Sequence, residues 1–362
     1  MFRPLLLTIP LLLIHAALAP RATASIDAAC DQRPSPIEWR PCPDTAFSPD
    51  TPKESWRHIG SELVTLLGSP KHRGIDTIVN PGQDQLLIGK FVYGLFDQDL
   101  EDEKVEVWIE VRCRDWRLFG TTQTTRDGLF DTVGGIEDDG GRVFFTIPTE
   151  KRLPPGSYRV KMLVKGDHSE ANLWLHVWER GTRVVVSDID GTITTSENDG
   201  LWTVFAPNSP TPRVGAAATF RAYAAKGYRL LFVTARPEFA TEGTRQWFAD
   251  NGFPTDGVAF HLSPSDSGEL GAGAQAYKTA YLQALTQAHG LDIAWAYGNK
   301  ASDLAAYLAA GVRPEGIRLV VGEYTGDLEG ATMIESYIPE SERAACLPPL
   351  LAPSSRENAS QP

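Results

Sequence analysis

The residues best suited to chemistry in this sequence are Asp188 and Asp190, which follow a short apolar run at 184–186. On an extended strand, residues i and i+2 point to the same side, so both carboxylates can face one ligand. A carboxylate is a competent covalent nucleophile, and Asp188 is predicted to attack phosphorus in a phosphate ester. Asp190 is predicted to be the general acid and base, protonating the leaving oxygen and later accepting a proton from water. Gly191 permits a tight turn, and the Thr192 hydroxyl is predicted to brace the loop and bind phosphate.

A solvated turn and an incomplete calcium-binding loop are the alternative interpretations of Asp188 and Asp190. A calcium loop of the EF-hand type is excluded, because Thr192 and Ile193 occupy the positions where that loop requires an acidic or amide residue and then glycine. The catalytic interpretation is favoured because further polar motifs follow, in order, at the ends of later predicted strands.

Three more residues are candidates for binding phosphate. Thr234 and Arg236 close the predicted strand at 229–234, where a hydroxyl can donate to a phosphoryl oxygen and a guanidinium can bind phosphate through two hydrogen bonds. The alternative is a polar strand end followed by a surface arginine. Lys278 is predicted at the start of a helix, the end that cations usually avoid. Neutralisation of a bound phosphoryl group would explain that position, although an exposed lysine is equally common.

Two residues after another predicted strand, at 293–297, supply hard oxygen atoms of the kind that Mg²⁺ prefers. These are Asn299 and Asp303, and they are predicted to complete a Mg²⁺ site with Asp188 and Asp190. The alternative for Asp303 is a capping residue in the first turn of the following helix.

The elements that must position these residues alternate between strand and helix from about residue 183 onwards. Short apolar runs at 184–186, 229–234, 258–262, 293–297 and 317–321 are predicted strands. Helical stretches are predicted between them, at 214–226, 238–251, 276–289 and 302–310. This alternation indicates a parallel sheet with helices on both sides, in which ligands bind beyond the carboxyl ends of the strands.

Taken as an ordered set, these motifs resemble those of the haloacid dehalogenase superfamily. The match is closest to the lipin-type phosphatidate phosphatases and the related carboxyl-terminal domain of the membrane-associated phosphatidylinositol transfer proteins. It rests on DIDGTIT at 188–194, FHLSP at 260–264, the segment around 309–312 and GNKASD at 298–303, and it covers about residues 184–339. Lys300 departs from the branch, which usually has arginine there.

This resemblance implies a Rossmann-like fold and Mg²⁺-dependent hydrolysis of a phosphomonoester through an aspartyl-phosphate. It implies that Asp188 is the nucleophile and Asp190 the acid and base. Thr234 and Lys278 would contact phosphate, while Asn299 and Asp303 would complete the metal site. In the transfer-protein branch the nucleophile is often lost and the domain only binds phosphatidate. Asp188 is present here, which favours catalysis.

The gaps around the predicted site are too short for a large cap domain, the device by which an enzyme can enclose a small substrate. An uncapped site suits a phosphate carried on something large. A lipid headgroup at a membrane and a macromolecule both meet this condition, and the resemblance implies phosphatidate or a related phospholipid at a membrane surface. The alternatives are a phosphatidate-binding module without activity and a phosphatase for soluble phosphate esters.

The preceding part of the chain is predicted to be an antiparallel β-sandwich, because apolar and polar residues alternate at 105–111 and 158–164 between turn signals. The predicted organisation is a signal peptide at 1–24, an irregular lead-in at 25–56 and the sandwich at 57–180. The phosphatase-like domain follows at 181–340, and a tail occupies 341–362.

Residues 1–24 have a positive start, a short apolar run and small residues before Ser25, which is typical of a secretory signal. An uncleaved anchor is the alternative. The expectation is an exported protein, periplasmic or extracellular, with peripheral attachment to a membrane as an option. In that setting the four cysteines allow two disulfides, and Cys30 with Cys42 is the preferred pair.

The composition limits the function as well. A hydrophobic content of 42% is ordinary for a soluble protein. The formal net charge of −12 argues against general nucleic-acid binding, which requires an excess of cationic side chains facing phosphates. A phosphorylated substrate remains compatible with this charge, because a metal and a few local cations can override the overall field.

Overall fold

The structure is a computed structural model, and it describes residues 47–66, 68–195, 210–264, 272–322, 324 and 326–350. The predicted signal peptide at 1–24 lies outside these residues, as does the lead-in up to residue 46. Of the predicted tail, only residues 341–350 are described.

The amino-terminal half of the described chain consists mainly of strands. In chain order its helix and strands are α1 (Ile59–Leu66), β1 (Arg73–Ile75), β2 (Thr77–Val79), β3 (Leu86–Lys90), β4 (Val92–Tyr93), β5 (Gln98–Asp99), β6 (Lys104–Arg112), β7 (Asp115–Gln123), β8 (Thr132–Val133), β9 (Ile136–Glu137), β10 (Arg142–Thr146), β11 (Gly156–Val164) and β12 (Glu170–Val177).

Two sheets of this half face each other across one core. Their strand orders are β1-β3-β10 and β2-β12-β11-β6-β7. Leu87 and Val143 of the first sheet and Val107 and Val160 of the second are buried in the same cluster. The half is therefore a β-sandwich. It is not wholly antiparallel as predicted, because the chain crosses from one sheet to the other at Asp76 and β2 then runs parallel to β12.

The carboxyl-terminal half alternates between strand and helix, as the apolar runs predict. Its strands and α-helices are β13 (Arg183–Ser187), α2 (Ala216–Ala225), β14 (Arg229–Pro237), α3 (Thr241–Asp250), β15 (Ala259–Ser263), α4 (Ala272–Gln283), β16 (Asp292–Gly298), α5 (Ala301–Ala309), β17 (Ile317–Val320), β18 (Thr332–Ile334) and α6 (Tyr337–Cys346).

These strands form one sheet in the order β15-β14-β13-β16-β17-β18, and every neighbouring pair is parallel. β13 is the first strand of the half and lies in its middle. The chain builds outward from β13 to β15 and then returns to the other side of β13 as β16. The carboxyl ends of β13 and β16 therefore meet where the strand order reverses, which is where open α/β sheets bind ligands.

Apolar layers cover both faces of this sheet. Val185 packs in one cluster with Phe220 of α2 and Phe248 of α3. Val186, the next residue of β13, packs on the other face with Leu304 of α5. Because successive strand residues are buried on opposite faces, β13 requires the uninterrupted apolar sequence that it has.

Two groups of buried ionic side chains join the sandwich to the α/β half. Asp76 Oδ1 accepts a hydrogen bond from Arg245 Nη2 at 2.6 Å. The carboxylate of Glu238 binds Arg73 Nε at 3.3 Å and two nitrogens of Arg142, each at 2.9 Å. We call these five residues the interdomain ion cluster.

Several features of the α/β half differ from the sequence prediction. α4 begins at Ala272, so Lys278 lies well inside the helix and not at its start. β18 and α6 were not predicted, and the proposed domain limit at residue 340 falls inside α6. Ala344 of α6 is fully buried in the core beside the sheet, so the α/β half continues beyond that limit.

Candidate active site

The loop after β13 places Asp188 at the point where the strand order reverses. The backbone N–H of Asp188 donates to the carbonyl oxygen of Tyr297 on β16 at 3.0 Å, so the first loop residue still lies beside that strand. Gly191 has a φ of +74°, a conformation that favours glycine. Its N–H donates to Thr194 Oγ1 at 2.9 Å, which closes the turn.

Lys278 joins two buried carboxylates. Its ammonium group donates to Asp188 Oδ1 at 2.6 Å and to Asp303 Oδ1 at 2.8 Å. Asp188 and Lys278 are only 5% and 6% exposed, and Asp303 is fully buried. One cation therefore lies between two anions in a poorly hydrated place.

The pKa values of this group reflect both burial and charge. The pKa of Asp188 is raised to about 7: burial raises it most, the carboxylates of Asp303 and Asp190 also raise it, and Lys278 lowers it. Burial would lower the pKa of Lys278, but its two carboxylate partners outweigh this and raise the pKa above its usual value. Lys278 is therefore a fixed positive charge beside Asp188.

Thr192 links Asp188 to the predicted metal ligand Asn299. Thr192 Oγ1 lies 3.1 Å from Asp188 Oδ2 and 2.9 Å from Asn299 Oδ1. A hydroxyl group has one proton, so it donates to only one of these oxygens at a time. Two oxygen acceptors thus converge at the carboxyl ends of β13 and β16, and this arrangement suits a cation.

Asp190 is bound by Arg236. The guanidinium donates from Nε to Asp190 Oδ2 at 2.8 Å and from Nη2 to Asp190 Oδ1 at 2.6 Å. Its third nitrogen donates to Thr244 Oγ1 at 3.0 Å. Thr234 Oγ1 is 3.4 Å from Asp190 Oδ2. Arg236, predicted to bind phosphate, is here engaged in a two-bond ion pair with the predicted acid and base.

Asp303 has the capping role that was weighed as the alternative, in addition to its ion pair. Its Oδ2 accepts the backbone N–H groups of Asn299 and Lys300, each at 3.1 Å, where α5 begins. Gly298 makes this approach possible, because a Cβ at that position would lie 2.5 Å from the Cβ of Asp303. Both oxygens of Asp303 are thus used by protein donors.

The eight predicted site residues lie at the carboxyl ends of neighbouring strands, on α4 and at the start of α5, in two connected groups. The first contains Asp188, Thr192, Lys278, Asn299 and Asp303. The second contains Asp190, Thr234 and Arg236. The groups are joined through the loop at 188–190. Their catalytic, phosphate-binding and metal-binding roles stay predictions.

Residues that the sequence analysis did not select also hold this loop. Arg213 donates from Nη2 to the carbonyl of Gly191 at 2.9 Å and from Nε to that of Thr194 at 3.1 Å. Tyr337 donates its hydroxyl to the carbonyl of Thr192 at 3.2 Å. Arg213 lies in a segment without apolar periodicity and Tyr337 lies beyond the recognised motifs, so neither gave a usable signal.

The predicted Mg²⁺ site is only partly supported by the side-chain positions. Within the part of the chain that the structure describes, no three His, Cys, Asp or Glu side chains are grouped to hold a metal. Asp190 faces Arg236, and Asp303 faces Lys278 and the start of α5. Asp188 and Asn299 are the two predicted ligands whose oxygens converge.

Two family models match the chain, one for each half. The beta-sandwich domain of PITM 1-3 matches residues 70–177, and the LNS2 domain of PITM 1-3 matches residues 185–321. A β-sandwich domain therefore precedes an LNS2 domain. The matched ranges do not test the predicted domain limits at residues 24, 56 and 180, which remain predictions.

Curated relatives agree with these models. Membrane-associated phosphatidylinositol transfer protein 1 of Rattus norvegicus is 32% identical over 271 residues, which are 74% of this chain and 20% of that protein. The chain is a homologue of the membrane-associated phosphatidylinositol transfer proteins. Protein retinal degeneration B of Drosophila melanogaster is 30% identical over 76% of this chain and 20% of its own length. Membrane-associated phosphatidylinositol transfer protein 2 of Homo sapiens is 30% identical over 79% of this chain and 19% of its own length.

The chain spans about a fifth of the length of these relatives. The prediction of an exported protein is wrong, because the matched relatives are named as membrane-associated transfer proteins and not as secreted ones. Within the described ranges, no helix is long and apolar enough to cross a membrane.

Two of the four cysteines lie in the part of the chain that the structure describes. Cys113 and Cys346 are both disulfide-bonded. Cys30 and Cys42, the preferred pair, lie outside the described residues, so that pairing stays a prediction.

Proposed function

We propose that this protein binds phosphatidate or a related phospholipid and hydrolyses its phosphomonoester, with Asp188 as nucleophile and Mg²⁺ as cofactor. A role that involves phospholipid is supported by homology to proteins whose names specify phosphatidylinositol transfer. A haloacid dehalogenase fold is supported by the parallel sheet with its first strand in the middle. The lack of room for a large cap favours a substrate presented at a membrane surface.

The observation that carries this proposal is the position of Asp188. Its buried carboxylate lies at the carboxyl end of the central strand, with Lys278 at 2.6 Å and the Thr192 hydroxyl at 3.1 Å. A solvated turn would not bury the first aspartate beside a buried cation. This arrangement supplies a nucleophile together with two donors for phosphoryl oxygens.

The charges of the site favour a cation. Three carboxylates, those of Asp188, Asp190 and Asp303, are bound by two cationic side chains, Lys278 and Arg236. Asp188 and Asn299 would hold Mg²⁺, which commonly uses one or two protein oxygens together with water and phosphate oxygens. When bound, Mg²⁺ would neutralise charge on the phosphoryl group.

The proposed reaction has two steps. In the first, an oxygen of Asp188 forms a bond to phosphorus while the ester P–O bond breaks. Asp190, which takes up a proton from solvent after it has left Arg236, gives that proton to the leaving lipid oxygen. In the second, water attacks phosphorus and loses a proton to Asp190, and the bond between Asp188 and phosphorus breaks. Inorganic phosphate leaves, and both carboxyl groups return to their starting forms.

Lys278 and Thr192 would stabilise the phosphoryl oxygens in both steps. Asp190 must leave Arg236 before it can reach the lipid oxygen. Phosphate can compete for the same guanidinium, because it presents oxygens with the spacing that two parallel hydrogen bonds require. Arrival of the substrate would thus move Arg236 to phosphate and release Asp190.

A second candidate function is phosphatidate binding without hydrolysis. The ion pair between Asp190 and Arg236 favours it, because both carboxylate oxygens of the predicted acid and base are occupied at 2.6 and 2.8 Å. If Arg236 holds Asp190 throughout, the site retains its phosphate donors and lacks a proton donor.

The test measures phosphate release from phosphatidate in mixed micelles, with Mg²⁺ and with a chelator. The wild type is compared with Asp188→Asn, and Asp292→Asn is the control because its carboxylate is half exposed at the start of β16. We expect release that requires Mg²⁺ and falls at least about a thousandfold in Asp188→Asn but not in Asp292→Asn.

The other outcomes separate the alternatives. Binding of phosphatidate vesicles without phosphate release establishes the binding function. Faster release from a soluble ester such as glycerol phosphate than from micelles rejects the lipid substrate and keeps the chemistry. Neither release nor binding by the folded protein rejects both functions.

A further inference from the structure

The hairpin formed by β4 and β5 ends in an apolar turn that projects into solvent. Its turn, residues 94–97, contains Leu95 and Phe96, which are 83% and 86% exposed. A single exposed apolar side chain is ordinary on a protein surface. Two large ones side by side at a projecting turn are typical of a contact surface.

Helix α1 presents a second group of apolar side chains. Ile59, Leu63 and Leu66 are spaced by four and then three residues, which places them on one stripe of the helix, and all three are exposed. The opposite face is attached to the sandwich: Ser61 is buried and donates to Glu103 at 2.6 Å, and Val64 packs against the core. The apolar stripe of α1 therefore faces away from the sandwich.

The two groups are neighbours in space. After α1 the chain returns along the hairpin, where the N–H of Gly94 donates to the carbonyl of Ser69 at 3.1 Å and Pro70 pairs with Tyr93. A Cβ at Gly68 would lie 2.8 Å from the Cα of Gly94. The end of α1 and the hairpin turn thus lie side by side. We call the five exposed residues the apolar tip: Ile59, Leu63, Leu66, Leu95 and Phe96.

The apolar tip lies at the same end of the molecule as the candidate active site. Asp97, next to Phe96, accepts a hydrogen bond from Arg73 at 2.8 Å. Arg73 also binds Glu238 at 3.3 Å, and Glu238 directly follows β14. β14 carries Thr234 and Arg236 at its carboxyl end. A short chain of buried ionic contacts therefore leads from the tip to the phosphate-binding edge of the sheet.

We propose that the apolar tip inserts into the boundary between headgroups and acyl chains of a lipid bilayer and so holds the active site at the membrane surface. This inference deepens the proposed function and rests on it for the identity of the occupant. It assigns to the sandwich a task in substrate capture.

The shape of the tip favours a lipid surface over a protein partner. A stable protein interface needs on the order of 800 Å² from each partner and a complementary surface. The apolar tip has five side chains, whereas a stable interface uses roughly 20–30 residues on each side. The headgroup boundary accepts apolar side chains one by one, and binding increases with the apolar area that enters.

The test measures partition of the full chain onto phosphatidylcholine vesicles by co-sedimentation. This lipid has no phosphomonoester, so the measurement does not depend on the phosphate site. Leu95→Ser combined with Phe96→Ser should weaken partition at least about tenfold, because two large apolar side chains no longer enter the lipid. Leu118→Ser is the matched control, because Leu118 is also exposed but lies in the middle of the edge strand β7. Because Leu95 and Phe96 are exposed, the double variant should unfold at the wild-type temperature.

Each outcome decides the proposal. Loss of partition in the tip variant, with the Leu118→Ser protein binding normally, supports it. Wild-type partition by the tip variant overturns it, as does a wild type that binds neither phosphatidylcholine vesicles nor those containing phosphatidate. Self-association that the tip variant abolishes, without vesicle binding, assigns the surface to a second copy and also overturns it. Asp188→Asn should bind phosphatidylcholine vesicles normally, so a failed phosphatase assay does not affect this result.

Discussion

The interdomain ion cluster and the candidate active site both bury carboxylates against cations, yet they differ in which sign of charge is in excess. In the cluster, Glu238 faces two arginines, Arg73 and Arg142. In the active site, Lys278 alone serves both Asp188 and Asp303. The cluster contains three arginines and two carboxylates, whereas the site contains three carboxylates and two cations and therefore retains excess negative charge.

Both oxygens of the Asp76 carboxylate in the cluster accept hydrogen bonds. Its Oδ1 accepts the N–H of Trp174 on β12 at 2.7 Å as well as the guanidinium of Arg245 at 2.6 Å. Its Oδ2 accepts the N–H of Phe260 on β15 at 2.9 Å. One carboxylate of the sandwich thus completes hydrogen bonds of both halves, which fixes the sandwich against the edge of the parallel sheet.

The difference teaches that burial of charge alone does not identify a functional site. Removing a carboxylate that two buried cations share leaves positive charge uncompensated and strongly destabilises the fold. Removing a carboxylate where carboxylates are in excess relieves repulsion. Functional sites in general retain such unfavourable arrangements at a cost in stability.

The largest effect is expected from Glu238→Ala. This change leaves Arg73 and Arg142 buried next to each other, so the free energy of unfolding should fall by about 3–5 kcal/mol. Urea unfolding at neutral pH measures it. Glu315→Ala is the control, because Glu315 is 73% exposed in its ion pair, and its effect should stay below about 1 kcal/mol. Equal stability of Glu238→Ala and wild type would show that the cluster is not a stabilising contact.

An intermediate effect is expected from acid, through His72 beside the cluster. Its ring accepts the N–H of Val92 at 3.2 Å through Nδ1, and Nε2 lies 2.8 Å from Ser169 Oγ. Burial lowers the pKa of His72 from 6.5 to about 4; Asp167 opposes this and Arg73 adds to it. The ring of Tyr93 also packs against it.

The unfolded chain takes up a proton on His72 near pH 6.5, whereas the folded chain does so only near pH 4. His72 therefore causes no loss of stability above pH 6.5. As the pH drops from 6.5 to 4, the free energy of unfolding falls by about 3 kcal/mol in total. Urea unfolding across this range measures the slope. His72→Asn, which can keep one acceptor and one donor, should flatten it. An unchanged slope in this variant would assign the acid sensitivity to other groups.

The smallest effect on stability is expected from Asp188→Asn. The amide keeps an oxygen for Lys278 and removes one negative charge beside Asp190 and Asp303, so the free energy of unfolding should change by less than about 1 kcal/mol or increase. Thermal unfolding without added metal measures it. A loss as large as that of Glu238→Ala would make Asp188 a structural residue and erase the contrast between the two regions.

Much of the framework is present in local sequence patterns. Alternation at 105–111 and 158–164 corresponds to β6 and β11, and the valines at 184–186 correspond to the strand buried on both faces. These patterns are readable because strand and helix periods appear within a few residues. β18 was missed because three residues are too few to show a period. The parallel pairing of β2 with β12 was missed because it depends on a crossing between sheets.

The site could be predicted only as a set of residues. The order of the motifs predicts Asp188, Thr234 and Asn299 at the ends of three strands, and these strands are neighbours in the parallel sheet. The partners of each side chain could not be predicted. Arg236, 46 residues beyond Asp190, is paired with that carboxylate and not held open for phosphate.

The sequence by itself therefore determined the type and order of the elements and the identity of the polar residues at their ends, because these depend on short-range periodicity and residue chemistry. The tertiary structure decided which charges meet. Lys278 lies 90 residues from Asp188 along the chain, and Glu238 lies 165 residues from Arg73. The first pair forms when the α/β half folds around its parallel sheet, and the second forms when the two halves pack together.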